Sequence, residues 1–244
     1  MKVHFVTETE AQRWILRPMA ERLASEIPGA TLGTSVNPTA TANVFFNYAL
    51  YKPVDTITAG FFTHRERDGE LGRRFNRIAA RIDWCFAQSQ RTALLLPAPK
   101  TSIIPTFPLS AAFYKRTLVL GIVGRGYSSG RKRMDWLADI RAIEGVTALV
   151  TGGKLKAAEM PGFYRKMDYL LVLSDNEGGP QPVLEAIATC KPVIAPNVGY
   201  CWEYPCIRYS TKADLLEILS KLVLPRDGWR RSAAHIWHIL KRLT

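Results

Sequence analysis

The stretch Ser174-Asp-Asn-Glu177-Gly178-Gly179-Pro180-Gln-Pro-Val-Leu-Glu185-Ala186-Ile-Ala188 holds two glutamates on either side of a glycine loop that leads into a helical pattern. The apolar run 168–173 before it is typical of a strand buried in a parallel sheet, and a second apolar run, 192–195, follows it. The glycines and prolines end the first run, and Pro182 suits the first turn of a helix over about residues 181–190. The stretch therefore predicts a strand, loop, helix and strand of an α/β fold.

This arrangement also indicates a binding site. The Gly178-Gly179 loop and the start of the helix would lie at the carboxyl edge of a sheet, where open α/β folds bind ligands. Unpaired backbone N–H groups at such a helix start attract phosphate. Glu177 would lie at the mouth of the loop and Glu185 about one turn into the helix, so both carboxylates can accept hydrogen bonds from hydroxyls of one molecule. Sugar and ribose hydroxyls are natural partners, so the pattern predicts a nucleotide-sugar site.

The stretch resembles the E-x7-E signature of the retaining glycosyltransferases of family 4, which have the GT-B fold. Further residues keep the order and spacing of that family, namely Pro192-Val193-Ile194-Ala195, Val198-Gly199 and Glu203. A second piece agrees, because the apolar strand 117–123 ends in Gly124-Arg125 and Lys132 follows where the family carries a lysine. The resemblance is good over about residues 117–205 and faint over the first hundred.

The resemblance implies an α/β protein with two Rossmann-like domains that face a cleft. The implied reaction moves a sugar from a nucleoside diphosphate sugar to an acceptor, with retention of configuration and with no cofactor or metal ion. Arg125 and Lys132 would neutralise the diphosphate, and Glu185 would hold the ribose. Glu177 with the Gly178 and Gly179 amides would hold the transferred sugar, and Pro180 beside them also belongs to the implied donor site. The sequence has no Asp-x-Asp triplet of the kind that chelates a metal-bound diphosphate, which agrees.

Charge builds on the leaving phosphate, so cations and N–H groups aimed at it are the main catalytic resource. The residues with implied catalytic roles are Glu177, His64, Arg125 and Lys132. His64 ends the apolar strand 59–63, and many members of the family place a histidine near the donor sugar at a similar strand end. An ordinary loop histidine is the alternative for this residue.

Three positions depart from the family pattern, because a larger side chain stands where a glycine is usual. They are Arg133 after Lys132, Cys190 at the end of the helix, and Tyr200 after Gly199. A cysteine at a position that needs positive φ would be strained, so we expect the helix to end in another way. The first loop, residues 7–10, lacks the glycine pair that many members place beside the acceptor.

Length and composition set the domain organisation. With 244 residues, 47% hydrophobic and 22% charged, the chain can bury two Rossmann-like cores. The proline-marked segment 104–108 is the best linker, which predicts an acceptor domain over 1–108 and a donor domain over 109–244, whose final helix could return to the first. The sequence shows no apolar span and no signal peptide, so we expect a cytoplasmic protein, in the host cytoplasm if viral, or one peripheral to a membrane. The four cysteines form no C-x-x-C pair and are expected to be reduced.

Positive charge carries the remaining information. Lysines and arginines exceed acidic residues by 33 − 21 = 12. Part of the excess forms helical stripes, Arg73, Arg77 and Arg81 in one predicted helix and Arg231, His235, His238 and Arg242 in the last one. Each stripe alone is more typical of a solvated face. Together they favour a polyanionic acceptor, nucleic acid or an anionic membrane surface.

Three hypotheses remain for what the protein acts on. The favoured one is a DNA-modifying transferase, of the kind that viruses use to glycosylate hydroxymethylated bases, which would flip its target base. The second is a peripheral membrane transferase with a lipid-linked or glycolipid acceptor, anchored by its tryptophan-bearing last helix. The third is a catalytically silent module that binds a nucleotide-sugar or nucleic acid, and the intact charged residues of the signature argue against it. The sequence does not predict the oligomeric state.

Overall fold

The computed structural model describes residues 1–9, 15–65, 69–114 and 117–244, and these form two units. The first unit is Met1–Phe113 together with Pro225–Thr244, and the second is Tyr114–Leu224. The sequence-based boundary at residue 108 thus differs from the observed one after Phe113. The last helix, which was assigned to the second domain with a possible return, lies in the first unit.

The first unit is built on a six-stranded parallel sheet with the strand order β2-β1-β3-β4-β5-β6. Its strands are β1 (Val3–Val6), β2 (Thr31–Gly33), β3 (Ala42–Phe45), β4 (Ile57–Phe62), β5 (Trp84–Ala87) and β6 (Thr101–Ile103). The central strands β1 and β3 are fully buried, as expected for a parallel sheet covered by helices on both faces.

Among the described residues of this unit, four α-helices cover the sheet: α1 (Leu16–Glu26), α2 (Glu70–Arg81), α3 (Gln90–Ala93) and the C-terminal helix (Gly228–Leu243). Side chains alternate along each strand, so Phe5 packs into a core with α1 and the C-terminal helix. Its neighbour Val6 packs on the other face with Phe75 of α2. Trp229 of the C-terminal helix is only 3% exposed and belongs to the first of these cores. Burial of each such side chain stabilises the fold by about 1.5–3 kcal/mol.

The second unit is a five-stranded parallel sheet with the order β11-β10-β9-β7-β8. Its strands are β7 (Leu118–Ile122), β8 (Val146–Val150), β9 (Tyr169–Leu171), β10 (Val193–Ala195) and β11 (Cys206–Arg208). The helices are α4 (Leu137–Ala142), α5 (Met160–Lys166), α6 (Gln181–Ala188) and α7 (Lys212–Leu222), which makes the C-terminal helix α8. One core contains α4 and α7 residues, and the other contains α5 and α6 residues.

The predicted α/β class with two Rossmann-like halves is confirmed by these two sheets. Around the signature, β9, α6 and β10 occupy the predicted strand, helix and strand. Strand β9 is shorter than predicted at both ends, α6 only at its end and β10 only at its start. None of the helices within the described ranges is both long enough and apolar enough to cross a membrane.

The expectation for the end of α6 was wrong. Cys190 has φ +54° and takes the left-handed conformation itself. The Cys190 N–H donates to Ile187 O at 3.0 Å and the Lys191 N–H donates to Ala186 O at 2.8 Å, which is the hydrogen-bond pattern of a Schellman cap. A side chain in this conformation costs about 1–2 kcal/mol, and the two cap hydrogen bonds offset part of that cost.

Candidate functional site

The candidate site of the second unit lies at β7, where the next two strands of the chain are added on opposite sides of one strand. The chain passes from β7 to β8 on one side and then returns to β9 on the other side of β7. The carboxyl ends of β7 and β9 therefore flank the switch point, which is where open α/β sheets bind ligands. A cavity of about 20 Å³ lies between them, with room for roughly one water. Its lining includes Gly124, Arg125, Lys132, Ser174, Pro180 and Pro182.

Glu177 is the centre of a charged cluster at this edge. Its Oε1 accepts hydrogen bonds from the Lys132 ammonium and, at 2.7 Å, from the Ser174 hydroxyl. Its Oε2 lies 3.3 Å from Arg131 Nη1. The Glu177 side chain is only 13% exposed. Burial alone would raise the pKa of this carboxyl, but the hydrogen bonds from Lys132 and Ser174 hold it below its ordinary value. Glu177 is therefore a fixed anion at neutral pH.

Arg125 provides a cation that the rest of the unit leaves unengaged. Its side chain is exposed and lies across Gly153, where a Cβ would be 2.2 Å from Arg125 Cγ. Only glycine at position 153, in the loop after β8, allows this approach. Within the described ranges, no carboxylate pairs with the Arg125 guanidinium and no oxygen accepts a hydrogen bond from it. This guanidinium is free to meet an anion.

The loop between Glu177 and α6 offers backbone donors. No described residue accepts a hydrogen bond from the N–H of Gly178 or Gly179. The loop is held by Gly199, which has φ +51° and approaches so closely that a Cβ there would lie 2.6 Å from Gly178 O. Unpaired N–H groups beside a helix start form a site for an anion or a hydroxyl oxygen.

Glu185 lies on α6 and is positioned by Tyr164 of α5. The Tyr164 hydroxyl donates to Glu185 Oε2 at 2.7 Å, and the tyrosine is almost fully buried. Burial, and then the contact with Glu185, raises the pKa of Tyr164, so the phenol stays a neutral donor. Glu185 Oε1 makes no hydrogen bond within the described part of the chain, so it can accept one from a ligand hydroxyl.

Arg133, where the family pattern has glycine, also adopts a left-handed conformation with φ +45°. Its guanidinium lies 4.7 Å from the centre of the Trp136 ring and 4.0 Å from Asp175 Oδ2. Arg133 and Cys190 both stand where the family pattern has a glycine. Each keeps the left-handed backbone conformation that a glycine would favour.

The structure thus places most of the predicted donor-site residues at one sheet edge: Arg125, Lys132, Glu177, Gly178, Gly179 and Pro180. Glu185 follows on α6. Sequence reasoning gave no role to Ser174, Arg131 or Tyr164. Ser174 opens the signature and Arg131 adjoins Lys132, so both had a signal nearby. Tyr164 had none, because tertiary packing alone brings α5 to Glu185. The roles of all these residues stay predictions.

The remaining predicted residues lie in the first unit. His64 follows β4, is exposed, and has its Nδ1 2.9 Å from Thr63 Oγ1. Arg73 and Arg77 both pair with Glu70, at 3.2 Å and 2.9 Å, and Arg81 is exposed near the end of α2. Catalysis by His64 and acceptor binding by the three arginines stay predictions. In the described ranges, no group of three His, Cys, Asp or Glu side chains is arranged to hold a metal ion.

No protein-family model matches this chain, and no curated protein matches it. Among solved structures it is similar to Anabaena HepE in complex with UDP and glucose, with 13% identity, 99% of this chain and 95% of that one covered, and a TM-score of 0.38. It is also similar to the lipopolysaccharide outer core galactosyltransferase WaaB, with 13% identity, 96% and 95% covered, and a TM-score of 0.35. WaaG, a glycosyltransferase involved in lipopolysaccharide biosynthesis, is similar with 14% identity, 96% of this chain and 94% of that one covered, and a TM-score of 0.33.

Proposed function

We propose that this protein is a nucleotide-sugar-dependent glycosyltransferase of GT-B type that acts with retention and without a metal ion. The observation that supports it most is the convergence of cations, free N–H groups and carboxylates at the switch point of the second sheet. Arg125 and Lys132 supply positive charge for a diphosphate. Glu177 and Glu185 supply acceptors for hydroxyls on either side of it. Retention rests on the resemblance of the signature to that of the retaining enzymes.

In this reaction the bond between the anomeric carbon of the sugar and the diphosphate oxygen breaks, and its electron pair stays on the diphosphate. A new bond forms from that carbon to an acceptor oxygen, whose proton is released. The negative charge grows on the leaving oxygen, so Arg125, Lys132 and the glycine N–H groups contribute most in the transition state. These fixed cations provide the neutralisation that a metal ion gives in other transferases, and this is the basis of the proposed metal independence.

The first test is a hydrolysis screen of purified protein with UDP-, GDP- and ADP-sugars in the presence of a chelator. We expect one donor class to be cleaved slowly to the nucleoside diphosphate and free sugar, because water can take the place of the acceptor. An NMR spectrum of the sugar at early times would show its anomeric configuration and so test retention. Absence of both binding and cleavage across the panel would contradict the proposal.

For the acceptor we propose nucleic acid, a hydroxylated or hydroxymethylated base in DNA. Four arginines against one glutamate on α2 give this helix of the first unit a positive surface, and Arg73, Arg77 and Arg81 are all exposed. The C-terminal helix does not present its first tryptophan as a membrane anchor, because Trp229 is buried in the core of that unit. A membrane anchor on this helix, the alternative considered from the sequence, would therefore need residues other than Trp229.

We expect binding to duplex or single-stranded DNA that weakens steeply with salt, because each phosphate contact releases a counterion. Replacing Arg73, Arg77 and Arg81 by Ala should reduce the slope of log affinity against log salt by up to about 2.7, at roughly 0.9 per contact on B-DNA. Fluorescence anisotropy over a salt series would measure it. The charge-matched control replaces Arg165, Lys166 and Lys221, exposed residues of the second unit. Equal slopes for the two triple variants would contradict the assignment to α2.

One observation favours a membrane acceptor as a second candidate. Leu71 at the start of α2 and the pair Leu94 and Leu95 after α3 are exposed large apolar residues, at 54%, 78% and 49%. Helices α2 and α3 pack on the same face of the first sheet, and α2 also carries the basic stripe. Apolar residues beside arginines suit the interface of an anionic bilayer. Binding to anionic vesicles with no measurable affinity for DNA at low salt would replace the DNA proposal with this one.

A further inference from the structure

Tyr200 occupies the position where the family pattern has a second glycine, and its side chain covers the glycine loop of the site. The ring lies against Gly179, where a Cβ would be 2.2 Å from Tyr200 Cε1. Tyr204 supports it in an edge-on contact, with ring centres 5.8 Å apart and planes at 76°. Gly199, immediately before it, packs against the carbonyls of Glu177 and Gly178. The tyrosine is therefore fixed to the loop through its backbone and through its ring.

The hydroxyl of Tyr200 is buried and has no hydrogen-bond partner in the described part of the chain. A buried hydroxyl without a partner costs free energy, and native structures keep such groups for a reason. Burial raises the pKa of Tyr200, so the phenol stays a neutral donor. The Tyr200 side chain packs against the core cluster that contains Tyr164, the residue that donates to Glu185 Oε2. The unused hydroxyl thus belongs to a side chain that contacts both the glycine loop and the cluster of Tyr164. Glu185, the hydrogen-bond partner of Tyr164, has an unused Oε1 of its own.

We propose that Tyr200 is a donor-site binding residue, whose hydroxyl makes a hydrogen bond to the ribose of the bound nucleotide beside Glu185. The inference rests on the proposed function, since it needs a nucleotide in this site. The two unsatisfied polar atoms, one on Tyr200 and one on Glu185, both belong to side chains that contact Tyr164 or its cluster. They match the two adjacent hydroxyls of a ribose, each of which can donate and accept. A glycine at this position would leave the second hydroxyl to water. The hydrogen bond from Tyr200 would thus be additional to those made by the residues of the E-x7-E signature.

The test compares the wild type with Tyr200→Phe, which keeps the ring on Gly179 and removes only the hydroxyl. Calorimetric titration with UDP, GDP, ADP and their glucose esters identifies the nucleotide that the wild type binds. We expect the variant to bind that nucleotide and its glucose ester about three- to tenfold more weakly, because one neutral hydrogen bond is lost. Since the ribose is common to both ligands, the two losses should be equal. Tyr204→Phe is the matched control and should bind as the wild type does.

Two further measurements separate a ligand contact from a structural role. Removing an unpartnered buried hydroxyl should leave the melting temperature of the ligand-free protein unchanged or higher, whereas removing a structural hydrogen bond would lower it. The wild type should also bind the 2′-deoxy or the 3′-deoxy nucleotide more weakly than the ribonucleotide, and Tyr200→Phe should lose part of that discrimination.

The possible failures are distinct. If the wild type binds no member of the panel, the proposed function falls and this inference with it. If the wild type binds and Tyr200→Phe binds equally well, only the inference is wrong. A loss confined to the glucose ester would overturn the assignment to ribose, and a lower melting temperature of the ligand-free variant would show that the hydroxyl is structural.

Discussion

Removing either of two cations of the proposed donor site is expected to reduce kcat by about 10²–10³-fold, with a smaller change in KM. This is the range observed when one preorganised group that stabilises transition-state charge is deleted. The variants are Arg125→Ala and Lys132→Ala, and the reason is that charge on the leaving diphosphate peaks in the transition state rather than in the bound donor. Initial rates over a range of donor concentrations separate the two constants.

Arg125→Ala is the cleaner variant, because no described residue forms an ion pair with its guanidinium. Lys132→Ala also removes the main partner of the Glu177 carboxylate, so its fold must be checked by circular dichroism and thermal melting. The matched control is Arg165→Ala, an exposed arginine of α5, a helix that leads into the opposite edge of the sheet. Wild-type turnover in both donor-site variants would exclude them from catalysis, and an equal loss in the control would point to a nonspecific charge effect.

Glu185→Gln is expected to weaken donor binding tenfold or more. The carboxylate would accept from ribose hydroxyls, and a hydrogen bond to a charged group contributes about 1.5–3 kcal/mol. The glutamine keeps the shape and can still accept the hydrogen bond from the Tyr164 hydroxyl, so the loss reports the missing charge and not a collapsed helix. Calorimetry with the donor found in the hydrolysis screen, or with its nucleoside diphosphate, measures the affinity.

Two comparisons sharpen this result. Glu217→Gln, on the exposed surface of α7, makes the same chemical change away from the site and should have no effect on donor affinity. Tyr164→Phe should cause a smaller loss of donor affinity, because Glu185 keeps its charge but loses the hydrogen bond that positions its carboxylate. Unaltered affinity in Glu185→Gln would remove Glu185 from the site.

The local pattern around the signature was strong enough to predict the strand, loop and helix at the switch point of the second sheet. Strand β9, the loop and helix α6 each have their own composition, so apolar runs, glycines and Pro182 located them within a few residues. The position of Lys132 beside Glu177 could be anticipated only through the resemblance, since 45 residues separate the two. The contact between Tyr164 and Glu185 had no local signal at all, because it arises from how α5 and α6 pack on one face of the sheet.

The conformation of Cys190 shows why a local rule can fail. A penalty of about 1–2 kcal/mol for a left-handed side chain argues against it, but a helix that must turn at once into buried strand β10 has few other ways to end. The short edge strand β2 has little sequence signal for a related reason, since its three residues are exposed or only partly buried and carry little apolar periodicity. In both places the tertiary fold outweighs the local preference.

The packing of α8 in the first unit has a consequence for how the chain is made. A ribosome releases the strands of the first sheet, up to Ile103, long before it reaches Trp229, Ile236 and Leu240, which cover one face of that sheet. The contiguous segment Tyr114–Leu224 is synthesised in between, which takes roughly 5–20 s at about 5–20 residues per second. During that interval one apolar face of the first sheet stays uncovered, and at its end the second unit has every element that it needs. The unit encoded second is therefore expected to finish folding first, and the nascent first unit is the part of the protein that a chaperone would bind.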